Sequence, residues 1–423
     1  MDLPAVRLAR VSRGPWRRTV SGNKNWIAGA WRPSASGHSF NTNHFGAWPR
    51  SDGMDVAAAL AGIEEASASW RSQSPAARAD GLGEVLDYWE DAGELEEEFA
   101  TCLDLLPSAL WDARKAALAL GDEYIARPRD LGPRSPTLAR AAAGGLGSAL
   151  VRCVFPALLE GRGVLLLSDA DAPLVATLFA ELFDAAGFPP GLLALLHDDA
   201  STSARAALAS ERLGQVALAE PEDRAQALVR IASESSVPPP GWAGAQDLSP
   251  PGKLDWQITP TRQRAALVLL GDDPQAAARA VCRQAFGPAL PLSGQGTGAV
   301  GRVYCHEQHL SAFTSALLDA VDRLERPGML FDSGLASHIG RISQLGLDEG
   351  ATLIRGAYGA FTGSQRRMRD AILVPSVFTN VEPLMALAKT DRPAPVLSLL
   401  RVTSDSEAQE LGRALPSAAF PSR

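Results

Sequence analysis

The sequence has few cysteines, no long apolar run and no excess of positive charge. None of its four cysteines stands in a pairing motif within the 423 residues: Cys102, Cys153, Cys282 and Cys305. Scattered cysteines in a large chain favour free thiols in a reducing compartment over a disulfide framework, so we expect a cytoplasmic protein. The richest apolar stretch, residues 163–167, is far shorter than the roughly 20 residues that a membrane-spanning helix requires.

The formal net charge of -8 leaves no global positive field for nucleic acid or an anionic membrane, and we expect neither as a partner. Residues 1–24 are a local exception, because they form a basic arm in which Asp2 is the single acid. Two interpretations of this arm stay open. It is either a solvated flexible tail or a segment that docks on an acidic partner.

The composition and the alternating pattern of the chain indicate a packed α/β protein. Hydrophobic residues make up 46% of the sequence, enough to bury a core in each of two domains. Residues 55–126 show helical periodicity, and from residue 163 short apolar runs alternate with amphipathic segments. This alternation predicts parallel sheets with helical crossovers. A proline- and glycine-rich segment, residues 237–252, separates the predicted domains at residues 25–252 and 253–423.

Several phrases, in their order along the chain, resemble the aldehyde dehydrogenase superfamily. They are NWIAGAWRPSASGHSF at residues 25–40, AGFPPGLLALL at 186–196, SGQGTGAVGRVYCHE at 293–307 and ILVPSVFTNVEPLMALAKTDRPAPVLSLLRV at 372–402. The resemblance implies two Rossmann-type three-layer α/β/α domains with parallel sheets. It also implies a divergent member that is truncated at its C-terminus, which puts the family's usual dimer in doubt.

The resemblance places the catalytic positions of the family on residues of different chemistry. The nucleophilic cysteine falls on Thr297, whose hydroxyl is not ionised near neutral pH without a neighbouring base. The carboxylate that activates water falls on Thr259 or, with another gap placement, on Asp247. The asparagine that stabilises the oxyanion falls on Gly144. We therefore interpret Thr297, Thr259 and Gly144 as vestigial positions.

The positions that hold the dinucleotide in the family are also changed. Leu167 and Ala170 replace the lysine and the acid that contact the adenosine ribose. Glu220, followed by two more acids, lies at the helix N-terminus that meets the pyrophosphate, where negative charge would repel it. Asp391 keeps the charge of the glutamate on the nicotinamide ribose. We accordingly expect no cofactor, and NAD(P) binding is not expected.

These changes lead to the hypothesis of an inactive family member, a pseudoenzyme, that acts as a structural or regulatory partner in an oligomer. An active aldehyde dehydrogenase homologue is the partner that the resemblance suggests. The alternative is an oxidoreductase or hydrolase of altered chemistry that uses the residual cleft with Thr297 or a cysteine. A small-molecule sensor is a third reading. No metal site is expected, because Cys305 and His306 of CHEQH point to opposite faces of a predicted strand.

Overall fold

The computed structural model describes residues 23–42, 46–91, 135–142, 146–235, 254–259, 261–287, 294–324, 333–356, 375–413 and 417–418. These residues form two compact units that divide between Thr259 and Thr261. The predicted basic arm, up to residue 22, and the end of the predicted helical stretch, residues 92–126, lie outside the described residues. No helix among the described residues combines the length and the apolar character needed to cross a bilayer.

The first unit is built on a sheet whose main part is parallel. Its described strands are β1 (Asn25–Ile27), β2 (Ala30–Arg32), β3 (Ser39–Thr42), β4 (Gly46–Pro49), β5 (Thr137–Ala141), β6 (Val164–Leu167), β7 (Leu193–Leu196), β8 (Gln215–Ala219) and β9 (Asp255–Ile258). The sheet order is β2-β1-β7-β6-β5-β8-β9, and β3 pairs with β4 separately. Strands β5 to β9 are parallel, while the hairpin of β1 and β2 joins β7 in the antiparallel sense. The strand order reverses between β5 and β8, as in a doubly wound Rossmann sheet.

Helices connect and cover these strands. They are α1 (Gly53–Ser72), α2 (Pro75–Asp91), α3 (Leu146–Leu159), α4 (Pro173–Ala185), α5 (Thr202–Leu208) and α6 (Glu222–Ser235). Helix α1 begins where the Asp52 carboxylate accepts from the backbone N–H groups of Met54 and Asp55, and the Asp55 side chain caps Asp52 in return. The Asp55 carboxylate also accepts from Ser34 Oγ at 2.9 Å, so the start of the helix is tied to the preceding loop.

The core of the first unit follows from its apolar runs. Every residue of β6 and β7 is buried, as expected for parallel strands covered on both faces. Leu165 and Leu196 pack against the apolar stripe of α1, which includes Leu60 and Ile63. The continuous leucine runs therefore specify the centre of the sheet rather than a half-exposed edge.

The second unit has a six-stranded sheet in three layers. Its described elements are β10 (Arg264–Val268), α7 (Pro274–Phe286), β11 (Val300–His306), α8 (Glu307–Asp322), α9 (Ser333–Asp348), β12 (Thr352–Arg355), β13 (Ser376–Thr379), α10 (Ala386–Lys389), β14 (Val396–Val402), α11 (Asp405–Arg413) and β15 (Ser417–Ala418). The order is β12-β13-β14-β11-β10-β15, and only β12 among these strands pairs in the antiparallel sense. One core cluster contains residues of α7 and α8, and the other contains residues of α9 and α11.

The α/β class and the two Rossmann-type units with parallel sheets confirm the fold predicted from the sequence. The buried strand predicted at residues 163–167 is β6, and the helix predicted after residue 306 is α8. Strand β9 completes the first sheet by pairing with β8. The units therefore divide after β9, whereas the sequence pattern placed the boundary at residue 252.

Replacing Gly163 with alanine is expected to lower the free energy of unfolding by about 1–3 kcal/mol, because the site has no room for a methyl group. A Cβ at Gly163 would lie 2.3 Å from Ile63 Cγ2 and 2.8 Å from Ser67 Oγ. Gly83 in α2 is the matched control, since nothing lies within 4 Å of its Cβ position. Gly83→Ala is expected to raise stability by about 1 kcal/mol. Urea denaturation measures both, and equal effects of the two variants would contradict the packing described here.

Candidate functional site

The carboxyl ends of β5 and β8 lie side by side where the strand order reverses, which is where open α/β sheets bind ligands. Arg140 in β5 and Glu220 directly after β8 form a two-point ion pair between these ends. Arg140 Nε lies 2.5 Å from Glu220 Oε1, and Nη2 lies 2.9 Å from Oε2. Glu220 is fully buried, and the Arg140 side chain is 14% exposed. The ion pair links the carboxyl ends of β5 and β8.

A second ion pair joins the loop after β6 to the first turn of α6. The Arg224 guanidinium contacts the Asp169 carboxylate at 2.9 and 3.2 Å, with both terminal nitrogens engaged. The same carboxylate accepts from the backbone N–H of Asp171 at 3.1 Å. The carboxyl ends of β5, β6 and β8 are thus held by two arginine–carboxylate pairs.

Glu220 does not present the negative charge that the sequence pattern suggested. Its carboxylate is buried and engaged by Arg140, so it cannot repel a phosphate from the solvent side. Glu222 and Asp223 occupy the first turn of α6, where acidic side chains stabilise the positive end of the helix dipole. These three acids therefore give no reason to expect that a nucleotide is repelled from this site.

The end of β6 is linked to the end of β7 by a buried hydrogen bond. Leu167, at the position of the family's lysine, is 3% exposed and packs in the core. Ser168 Oγ lies 2.9 Å from His197 Nδ1. Ala170 is half-buried in the loop that follows. Leu167 and Ala170 accordingly offer no polar side chain to a ribose.

His197 is a structural imidazole. Its Nε2 lies 3.1 Å from the carbonyl oxygen of Lys24, and its backbone N–H donates to Asn25 Oδ1 at 3.2 Å. The ring centroid is 4.9 Å from that of Trp48. Burial lowers the pKa of His197 from 6.5 to about 3, despite the opposing effect of the Lys24 carbonyl. The ring therefore stays neutral at any ordinary pH.

In the second unit, the loop of residues 294–299 precedes β11 and presents Thr297. Gly294 (φ 89°) and Gly298 (φ 85°) adopt left-handed backbone conformations that favour glycine. A Cβ at Gly294 would lie 2.7 Å from Pro395 Cα, so the loop is packed tightly at its start. Gln295 is buried, whereas Thr297 is exposed. No described residue makes a hydrogen bond with the Thr297 hydroxyl, so none of the described residues activates it as a base.

Arg302 in β11 fixes the turn that contains Asp391. Its guanidinium, 2% exposed, donates to the carbonyl oxygens of Ala388 and Thr390 at 2.5 and 2.7 Å and to Asp391 Oδ1 at 2.8 Å. The Asp391 side chain remains 24% exposed. Asp391 therefore keeps acceptor capacity at the surface while its position is set by a buried cation. Pro393, two residues on, is buried.

Gln263, directly before β10, and Arg264, its first residue, connect the Asp391 turn to the Thr297 loop. The backbone N–H of Gln263 donates to the Asp391 carbonyl oxygen at 2.8 Å, and that of Arg264 donates to the Ala299 carbonyl oxygen at 2.7 Å. The Gln263 side chain also donates to Ala394 O at 3.0 Å. The structure thus brings Thr297 and Asp391, two positions taken from the sequence, into one fixed arrangement.

Thr259 follows β9 in the first unit and is exposed, with its backbone N–H donating to Leu218 O at 2.7 Å. A threonine cannot act as the carboxylate base that this position supplies in the family. Gly144 and Asp247 lie outside the described residues, so their assignments stay predictions.

The three described cysteines are unsuited to replace the nucleophile. Burial raises the pKa of Cys282 to about 11 and that of Cys305 to about 12, and it also raises the pKa of Cys153 well above its usual range. All three thiols are buried and free. Within the described parts of the chain, no group of three or more histidine, cysteine, aspartate or glutamate side chains could hold a metal ion.

The chain belongs to the aldehyde dehydrogenase family, whose model matches residues 148–237 and 263–414. An alpha-ketoglutarate semialdehyde dehydrogenase of Haloferax volcanii is 24% identical over 91% of this chain and 82% of that protein. A benzaldehyde dehydrogenase of Bacillus subtilis is 22% identical over 93% and 82%. Aldehyde dehydrogenase C of Pseudomonas syringae, solved with NAD+ and octanal, superposes with a TM-score of 0.75 at 18% identity over 94% and 84%.

These relatives correct three expectations drawn from the sequence. The hypothesis of an inactive pseudoenzyme acting as a regulatory partner is wrong, because the curated relatives are named as dehydrogenases. The expectation that the chain is not an enzyme fails for the same reason. The expected absence of a cofactor is also wrong, since solved neighbours include a complex with NAD+. The physical basis of that last error lies in Glu220, whose charge is neutralised by Arg140.

Sequence reasoning missed Arg140, Arg224 and His197. Arg140 and His197 lie at strand ends next to apolar runs, which is a signal for residues at the carboxyl edge of a sheet. Arg224 follows two acids, and its partner Asp169 lies 55 residues away. The pairings themselves could not be read from local spacing.

The buried His197 is expected to make stability fall as the pH is lowered. Because its pKa is about 3 in the folded chain and near 6.5 when unfolded, the unfolded state binds more protons between these values. Stability contributed by neutral His197 is complete above pH 6.5 and declines below it by about 1.4 kcal/mol per pH unit. Urea denaturation at several pH values between about 5 and about 7.5 measures how the free energy of unfolding changes with pH.

His197→Gln is expected to remove most of this pH dependence. Exposed His38 provides the matched control, since His38→Gln should keep the slope of the parent protein. A slope that persists in His197→Gln would show that another group binds the proton.

Proposed function

We propose that the chain is an NAD(P)-dependent oxidoreductase that oxidises an aldehyde to a carboxylic acid. Support comes from the family match over more than half of the chain and from relatives named as semialdehyde and benzaldehyde dehydrogenases. The observation that carries the proposal is the fixed arrangement of the exposed Thr297 loop and the Asp391 turn through Arg302 and the segment 263–264.

Each unit, taken by itself, offers groups that suit part of a dinucleotide. In the second unit, Asp391 is 24% exposed and held by Arg302, so its carboxylate can accept hydrogen bonds from ribose hydroxyls. In the first unit, the partly exposed guanidiniums of Arg140 and Arg224 lie at the crevice where the strand order reverses. Guanidinium groups bind phosphate oxygens well. Leu167 provides no polar contact to the adenosine ribose.

The chemistry follows from what Thr297 can and cannot do. A threonine hydroxyl without a base does not attack a carbonyl near neutral pH, so no covalent thioester-like intermediate is proposed. Its hydroxyl and backbone N–H can instead hydrogen-bond the oxygens of an aldehyde or of its hydrate. In the hydrate, water has already added to the carbonyl carbon, and loss of a hydride from carbon and a proton from oxygen gives the acid. A bound NAD(P)+ would supply the hydride acceptor.

Asp391→Asn is expected to weaken dinucleotide binding by about tenfold, because it removes the charge from hydrogen bonds to the ribose. The measurement is the thermal midpoint of the protein during titration with NAD or NADP, since a ligand that binds the folded state raises it. Asp319→Asn is the matched control, because Asp319 is exposed on α8 of the same unit. An absent or non-saturable shift in the parent protein with both dinucleotides would overturn the proposed cofactor.

Thr297→Val is expected to lower kcat/KM for aldehyde oxidation by about tenfold or more, because the substrate oxygen loses a hydrogen bond. Thr297→Ser is expected to retain most of the activity, since it keeps the hydroxyl. The assay follows reduced nicotinamide with a panel of aldehydes. Full activity of Thr297→Val would exclude the hydroxyl from the reaction. No turnover by the parent protein with either dinucleotide and any aldehyde of the panel would overturn the proposed function.

A further inference from the structure

We propose that a cleft at the amino ends of β5 and β8 in the first unit binds a small zwitterion, a flexible molecule with an ammonium group at one end and a carboxylate at the other. This site is independent of the proposed function, because it lies at the opposite edge of the sheet from the crevice at the carboxyl ends of the same strands. The arrangement of charged side chains on α1 and in the loop before β8 carries the proposal.

The walls of the cleft come from three segments of the first unit. These are the second half of α1, the residues directly before β5 and the loop between α5 and β8. The lining residues are Glu64, Ser67, Arg71, Ser135, Pro136, Glu211 and Arg212. The cleft is open to solvent and has a volume of about 510 Å³, within the range of about 300–1,000 Å³ that is typical of small-molecule sites. A molecule with a short carbon chain therefore fits.

Close packing holds these walls in place. A Cβ at Gly163 would lie 2.8 Å from Ser67 Oγ, and one at Gly214 would lie 2.6 Å from Ser135 Cβ. The backbone N–H of Gly214 also donates to Pro136 O at 3.1 Å. The two glycines thus let α1 and the segment before β5 approach the sheet closely, so the distance between the walls is fixed by the fold.

The charges of the cleft are separated along α1. Glu64 and Arg71 are seven residues apart, which places them on one face of the helix with a rise of roughly 10 Å between them. Arg212 Nη1 lies 3.8 Å from Glu64 Oε2, and its neighbour Glu211 adds a second carboxylate at this end. One end therefore carries an excess of negative charge, and the other end carries the guanidinium of Arg71.

The charges of Arg71 and Glu211 are available to a ligand. Arg71 Nε donates to Ser67 O at 3.2 Å, and no described side chain accepts from its terminal nitrogens. The carboxylate of Glu211 makes no hydrogen bond or ion pair with any residue that the structure describes. Both residues are exposed. A bound molecule can thus reach a cation at one end of the cleft and a carboxylate at the other.

A zwitterion complements this separation of charge. Its ammonium group can donate to the carboxylates of Glu64 and Glu211, while its carboxylate accepts two parallel N–H···O bonds from Arg71. A simple anion or a simple cation would satisfy only one end. Exposed ion pairs contribute little individually, so we expect a dissociation constant in about the millimolar range.

Titration with 6-aminohexanoate at constant ionic strength tests the site, with the thermal midpoint of the full chain as the readout. This probe is expected to raise the midpoint in a saturable way. Hexanoate and hexylamine, which each keep one of its charged groups, are not expected to do so. Glycine is also expected to fail, because its charged groups are too close together to reach both ends of the cleft.

Two substitutions test the ends of the cleft separately. Arg71→Gln and Glu211→Gln are each expected to weaken the binding of 6-aminohexanoate by about fivefold to tenfold, because each removes the charge from one end. Arg230→Gln and Glu65→Gln are the matched controls, since they change exposed charges of the same unit that do not line the cleft. Both controls should bind as the parent protein does.

Any of three results would overturn the proposed site. They are an absence of saturable binding of 6-aminohexanoate, equally tight binding of hexanoate or hexylamine, and an unchanged affinity in either Arg71→Gln or Glu211→Gln. The second result would show that a single charged group is enough for binding. None of these measurements depends on turnover, so failure of the proposed dehydrogenase activity would leave them unaffected.

Discussion

The buried guanidinium of Arg302 is the interaction on which the described site of the second unit depends. A cation removed from water is tolerated only where its donors find acceptors, and Arg302 finds two carbonyl oxygens and one carboxylate. One acceptor lies in α10 and two lie in the turn that follows it, so neither can shift independently of β11. The backbone bonds of residues 263 and 264 extend the same constraint to the Thr297 loop.

The first unit uses the same principle at the carboxyl edge of its sheet. Glu220 has no exposure to solvent, and its two contacts with Arg140 make its burial tolerable. Asp169 is held by Arg224 and by a backbone N–H. In both units, side chains that a pattern would class as surface charge hold strands, turns and loops in place. Their effect on a ligand is set by what pairs with them, and not by their formal sign.

The fold was predictable because its signals are local. The leucine runs of β6 and β7 and the periodicity of α1 and α8 specify buried strands and amphipathic helices directly. Thr297 and Asp391 were singled out from the sequence as vestigial positions, since each lies in a phrase that resembles the family, and their roles stay predictions. The pairing of Glu220 with Arg140 was not predictable, because 80 residues separate the two side chains. The hypothesis of an inactive pseudoenzyme failed because it equated changed side chains with lost activity. Attack by a thiol is only one route by which an aldehyde can be oxidised.

The hairpin of β1 and β2 has a consequence for how the molecule behaves in concentrated solution. Without it, β7 would be the border of the first sheet, and its four buried apolar residues would offer unpaired backbone groups to another chain. Trp26 of β1 pairs with Leu195 of β7, and β2 then becomes the border strand. This border is three residues long and ends in Arg32, whose guanidinium bonds Ile27 O. Short, charged borders resist strand-to-strand aggregation, so the hairpin protects the sheet from self-association at this edge.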